Sequence, residues 1–112
     1  RKSILRFLVS LLMGSLKHCR VSGDSMYPTL KEGDLIIYKP FKNFDNELSE
    51  GLLVVVTHPL RKKTLIVKRI SKIYSETIEI LGDNESRSID SRQFGQIHTN
   101  QLQGIVETII PL

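Results

Sequence analysis

Only one cysteine, Cys19, occurs in the 112 residues, so neither an internal disulfide nor a multi-cysteine zinc site can form. Its thiol reads as a buried or incidental side chain. No acid precedes Asp24. Arg1, Lys2, Arg6, Lys17 and Arg20 give the first twenty residues a charge of +5, while the rest of the chain sets eleven bases against twelve acids. Basicity confined to one end argues against a nucleic-acid-binding body, whose cations would spread over a folded face, and points to an anionic surface near the N-terminus. Internal repeats and low-complexity stretches are also lacking, and the length allows one compact core and too little chain for two.

A long apolar run is missing as well. The best candidate, Ile4 to Leu16, is broken by Arg6 and as a helix would cover only about 20 Å, against roughly 30 Å of bilayer hydrocarbon. Its polar residues Ser3, Arg6, Ser10, Gly14 and Lys17 recur every three or four positions, the period of a helix with a narrow polar stripe. Such a helix fits a membrane interface, with its basic ends among headgroups, and equally fits packing on a protein core. In a chain that starts on Arg1 rather than Met, it also fits the stub of a longer anchor. The expected division is an N-terminal helix over 1–20 and one catalytic-sized domain over 21–112.

Beyond Cys19 the chain is β-prone. Leu35 to Tyr38, Leu52 to Thr57, Leu65 to Ile73, Thr77 to Leu81 and Gly104 to Ile110 are rich in Val, Ile and Thr. Turn residues such as Gly33-Asp34, Lys39-Pro40, Glu50-Gly51, His58-Pro59 and Gly82-Asp83-Asn84 fall between them. Short strands with hairpin-length connections predict a mainly β protein, an antiparallel sheet folded into a partly closed barrel.

Three segments carry reactive side chains. In Val21 to Leu30, Ser25 stands between a glycine-containing turn and Pro28, a setting that can expose its hydroxyl and leave its own N–H free for an oxyanion; it equally suits a turn or cap residue. A serine needs a base, and none of His18, His58 and His98 lies in a recognisable nucleophile–base arrangement. In Leu65 to Ile70, strand alternation puts Lys68 on the face of Ile66 and Ile70 and turns Arg69 the other way with Val67. An ammonium among aliphatic side chains loses hydration and becomes a neutral amine near neutral pH; the alternative is a lysine whose stem lies on the sheet and whose amine reaches water. Between Gly82 and Gly95, Ser88, Asp90 and Arg92 alternate as one face of an extended strand would, a hydroxyl, a carboxylate and a guanidinium able to orient an amine.

Taken in order, Gly23-Asp24-Ser25-Met26-Tyr27-Pro28-Thr29-Leu30, Val67-Lys68-Arg69-Ile70, and Gly82-Asp83-Asn84 followed by Ser88 to Gly95 resemble the sequence boxes of type I signal peptidases. The resemblance runs from about Val21 to Gly95. It implies a serine endopeptidase with a serine–lysine dyad: Ser25 as nucleophile with its backbone N–H as oxyanion donor, Lys68 as general base, Ser88 orienting that lysine, and Asp90 and Arg92 as its brace. Met26 and Pro28 match positions that shape the substrate cleft and the catalytic turn. The implied partner is an extended peptide segment of a precursor protein, held by strand addition and cut after small residues, with an anionic membrane surface as a second partner through residues 1–20. No cofactor, metal or nucleic acid is implied.

Three features depart from the boxes. Gly23 stands where some members place a hydroxyl that helps form the oxyanion hole. The box Gly-Asp-Ile-Val-Val becomes Gly51-Leu52-Leu53-Val54-Val55, without its acid. Only thirteen residues separate Lys68 from Gly82, which leaves no room for the domain some bacterial members insert there. The chain therefore resembles the compact relatives, including those proposed to trim the N-terminus of nickel-type superoxide dismutase. A repressor-type self-cleaving domain shares the chemistry, but its scissile Ala-Gly or Cys-Gly dipeptide does not occur here.

Overall fold

The computed structural model describes residues 4–5, 16–41 and 48–112. Within them, seven strands form one antiparallel sheet: β1 (Lys17–Arg20), β2 (Leu35–Pro40), β3 (Leu53–Thr57), β4 (Leu65–Ile73), β5 (Thr77–Leu81), β6 (Ile97–His98) and β7 (Leu102–Ile110). Their order across the sheet is β1-β2-β7-β3-β4-β5-β6. Register shifts at Ile37/Tyr38, Val55/Val56 and Ile70/Lys72 increase the local twist. The sheet thereby curls into a half-barrel, and the mainly β antiparallel architecture read from the sequence is the one present.

The strands form where β-branched runs can bury alternate residues on both faces of the curl. Val54, Val56, Ile70, Ile78, Ile80, Ile97 and Leu102 make one core cluster, flanked by Ile66 and Phe94. Met26, Leu30, Ile36, Tyr38 and Val55 make the other, flanked by Cys19, Val21 and Val67. Alternation along β4 therefore sends Ile66 and Ile70 to one cluster and Val67 to the other.

Two local expectations need correction. The helix assigned as far as residue 20 stops short of Lys17, because Lys17–Arg20 pairs with Leu35–Tyr38 as an edge strand. These four residues have little helical periodicity of their own, and the ladder offered by β2 decides their conformation. Of the preceding segment, Ile4 and Leu5 are helical and exposed; the remainder of the expected helix lies outside the described residues. No helix among the described residues is long and apolar enough to cross a membrane. Secondly, the stretch from Ser88 to Arg92 is not a strand. It enters a one-turn helix, α1 (Ser91–Phe94), with Asp90 as N-cap. The capping box, in which the Asp90 carboxylate accepts from the first turn and the Gln93 side chain accepts from the Asp90 N–H, competes successfully with extension.

Candidate active site

Lys68 lies mid-strand on β4 and is 4% exposed. Its Nζ donates to Ser88 Oγ at 3.1 Å, its one hydrogen bond among the described residues. Ser88 in turn donates to Asp90 Oδ2 at 2.6 Å, so the hydroxyl proton points away from the amine and an oxygen lone pair faces it. Burial strips water from the Lys68 amine and lowers its pKa from the ordinary lysine value; the nearby Asp90 charge pulls the other way and Arg92 pushes further down.

Asp90 is wholly buried. Burial alone would raise its pKa, but hydrogen bonds outweigh it and hold the carboxyl well below the usual carboxylate range. Arg92 Nε donates to Oδ1 at 3.0 Å and Arg92 Nη2 to Oδ2 at 2.7 Å. The Gly82 N–H donates to Oδ2 at 2.7 Å and the Arg92 N–H to Oδ1 at 3.1 Å. A fork of this kind fixes the carboxylate plane as well as its charge.

Ser25 sits on the turn that follows β1. Together with Met26, Leu30, Cys19, Val21 and the β4 residues Leu65 to Lys68, it lines a cavity of about 170 Å³. Serine and lysine thus open on the same space, with no hydrogen bond between them among the described residues. The Ser25 N–H likewise has no acceptor there. Gly23, two residues earlier, has φ of +81° and open space where a Cβ would stand, so its requirement is conformational rather than steric. Met26 is buried in the cavity wall, whereas Pro28, joined to Tyr27 by a cis peptide bond, is exposed and outside the lining.

The turn is held by residues whose roles the sequence reading did not single out. Asn84 N–H donates to the Ser25 carbonyl at 2.8 Å, and Asn84 Nδ2 to the Asp24 carbonyl at 3.0 Å. The Asp83 N–H reaches Met26 Sδ at 3.3 Å, and Thr29 Oγ1 donates to Asp83 Oδ2 at 2.6 Å. Arg69, next to Lys68 but turned the other way, grips the same carboxylate with Nε at 2.9 Å and Nη2 at 2.8 Å. That pairing draws the Asp83 pKa down. The strand of Lys68 and the turn of Ser25 are therefore tied through Asp83. In the sequence, Gly82-Asp83-Asn84 is a turn and part of the third resembling box, and Arg69 is part of the second, but neither reading gives Arg69, Asp83 or Asn84 a role.

Gly82 is the point of closest approach. A Cβ there would overlap the Ser88 side chain and stand 2.7 Å from the Ser25 carbonyl oxygen. Gly82→Ala is expected to force both loops apart and to cost about 1–3 kcal/mol, a fall in Tm of several degrees by differential scanning calorimetry. An unchanged Tm would mean that the loops yield freely.

The histidines stay outside this arrangement. His58 Nδ1 accepts from the Leu60 N–H and His98 Nδ1 from the Asn100 N–H, each serving its own turn. The cavity lining includes none of the three.

The family described as signal peptidase, peptidase S26, matches residues 3–80, well over half of the chain. The chain belongs to the S26 signal peptidase family. A search of the curated proteins finds no match. Membership makes this S26 chain a protease of the signal peptidase type, and the matched stretch contains both Ser25 and Lys68 while ending before Ser88, Asp90 and Arg92.

Proposed function

We propose that this S26 peptidase is a serine endopeptidase whose nucleophile is Ser25 and whose general base is Lys68. The observation that carries the reading is the Lys68 amine, desolvated, held by a neutral hydroxyl and opening on the cavity that Ser25 lines. Lys68 takes the Ser25 proton as Oγ attacks the scissile carbonyl and hands it to the leaving amine. Water, deprotonated by the same lysine, then hydrolyses the ester on Ser25. Ser88 orients the amine, Asp90 and Arg92 brace Ser88, and the unengaged Ser25 N–H serves the oxyanion. Met26 walls the cleft, and Pro28 shapes the turn that carries Ser25.

An extended precursor peptide fits the cleft. β1 is an edge strand, and β4 from Leu65 to Lys68 pairs with β3 on one side only, since β5 begins its pairing at Arg69. The Ile70 N–H donates towards β3, to Leu52, so alternation turns the N–H and C=O groups of Leu65 and Val67 to the free edge. Those groups can add a strand, and a cavity of about 170 Å³ favours small side chains. The activity is removal of an N-terminal leader, and the compact form makes a nickel-type superoxide dismutase precursor the first dedicated substrate to test.

Incubating the chain and its Ser25→Ala variant with that precursor and with a secretory precursor, read by mass spectrometry, tests the proposal. Cuts at the end of a leader that vanish in Ser25→Ala are expected, and the precursor cut reports the substrate class. Cleavage retained by the variant rules out Ser25 as nucleophile. Peptide binding without any cut would indicate an inactive peptide-binding module. The pH profile adds a second check: a lowered lysine pKa places the rising limb of kcat/KM below the 10.5 of an ordinary lysine, with activity lost as pH falls and the amine protonates.

A further inference from the structure

The turn that carries Ser25 separates two cavities. Ser22, Ser25, Met26 and Leu30 face the cleft, whereas Gly23, Asp24, Tyr27, Lys31 and Glu32, joined by Arg87, line a second space of about 480 Å³. Helical hydrogen bonds within the turn make this division: the Tyr27 N–H donates to the Asp24 carbonyl at 3.1 Å and the Leu30 N–H to the Met26 carbonyl at 2.9 Å. At that spacing Asp24, Tyr27 and Lys31 share one side, and Met26 and Leu30 the other. Both segments that frame the dyad reach the second cavity with the residue just before their hydroxyl. Asp24 precedes Ser25, Arg87 precedes Ser88, and Arg87 Nη2 meets Asp24 Oδ2 at 3.2 Å.

Strand direction decides which part of a peptide arrives there. Successive antiparallel pairings from β1 through β2, β7 and β3 to β4 make β1 and β4 run in the same direction. The two cleft walls, Cys19 to Ser22 and Leu65 to Val67, therefore both lead toward the dyad, one reaching Ser25 and the other Lys68. A peptide that seats the small side chains before its scissile bond in this cleft of about 170 Å³ brings the bond to Ser25 and leaves past it, over the Asp24–Arg87 pair.

The polar groups of the second cavity are unevenly engaged. Glu32 Oε1 accepts from the Gly23 N–H at 3.2 Å, and the Asp24 carboxylate holds Arg87. Lys31 is exposed and has no acidic partner among the described residues, and Arg87 keeps donors beyond the one that meets Asp24. A lone surface lysine is ordinary. This one stands in a cavity beside the reacting bond, with the neighbouring acids already engaged and the half-exposed Tyr27 ring next to it.

We infer that this cavity binds the residues that follow the cut and selects an acidic side chain among them, with Lys31 as the principal contact and Arg87 as the second. The inference rests on the dyad reading for the position of the scissile bond.

Fluorescence anisotropy with the Ser25→Ala chain tests it without requiring cleavage. The labelled peptides span the leader junctions of the two precursors and carry Glu, Gln or Lys at each position after the cut in turn; the same series is given to the chain with Ser25 intact for kcat/KM. Exposed charge pairs are each worth up to about fivefold, so attraction of Glu and repulsion of Lys together are expected to separate those peptides by roughly tenfold at one position, with Gln between. Lys31→Glu is expected to reverse the order. Its melting temperature and its preference for a small residue before the cut stay as they were, because Lys31 is exposed and lies outside the cleft lining. Equal binding of Glu and Lys peptides at every position, or an order that survives Lys31→Glu, would overturn the inference and leave the dyad standing. An absence of serine-dependent cuts across the whole series would instead overturn the dyad, and with it the position of the cut, whatever the binding order.

Discussion

Lys68→Met is expected to abolish cleavage and leave the protein as stable as before, or more so. Methionine nearly matches the lysine stem in length and volume and needs no solvation, so the aliphatic packing along β4 survives while the base disappears. Loss of a general base alone lowers turnover by about 10²–10⁴-fold, and a serine left with no base at all falls toward the upper end of that range. Stability moves the other way. With the folded-state pKa lowered from 10.5, the unfolded chain binds more protons than the folded one between the two values. Stability therefore rises with pH through that window, and below it the folded state carries the cost of a buried ammonium. Methionine removes that cost. Thermal melts of both proteins across the pH range, with cleavage assays beside them, give the comparison; a marked loss of stability in Lys68→Met would show that the lysine holds the fold rather than serving chemistry.

Asp90→Ala is expected to do the opposite, damaging stability first and activity as a consequence. The substitution leaves the Ser88 hydroxyl, the Gly82 N–H and the Arg92 fork without their shared acceptor, and it removes the cap of α1. Breaking a buried charge cluster by deleting one partner costs about 3–5 kcal/mol, a large part of the stability of a domain this size. Urea unfolding measures it directly. Asp90→Asn keeps the shape and part of the hydrogen bonding, so it should recover some of the loss. The pH sign is also fixed: a folded-state pKa below the unfolded 3.8 stabilises the protein above 3.8, and that contribution disappears only as the medium becomes strongly acidic. A variant with wild-type stability would mean that the carboxylate is not the hub of the network.

These opposite expectations mark how far the sequence could be read. The strands at Leu65–Ile73 and Thr77–Leu81 were legible in full because β-branched alternation and flanking turn residues agree. For Lys68 the spacing of Ile66 and Ile70 gave the face of the strand but left open whether the amine is buried or reaches water, and burial beside Ser88 is what the fold adds. β1 was not legible, since Lys17 to Arg20 carries no strand pattern and owes its conformation to β2. The two-residue β6 is too short to leave a signal, and it exists through pairing with Thr77 and Ile78.

In the site, Ser88, Asp90 and Arg92 do meet, though for a reason other than strand alternation. Asp90 caps α1, and the first turn brings Arg92 back over its carboxylate. An Asp followed three residues later by Gln was the sequence mark of that cap. The Arg69–Asp83–Thr29 tie had no local mark at all. Its members lie far apart in sequence and become neighbours only when the sheet curls, so no periodicity along the chain could show it.

The central claim is that the fold holds Lys68 in a state from which its amine is available as a base. Titration of the Lys68 ε-methylene NMR resonance, assigned by its absence in Lys68→Met, tests this most directly. A midpoint clearly below 10.5 is the expected result. A midpoint at or above that value would contradict the account, because an ammonium that keeps its proton cannot accept one from Ser25.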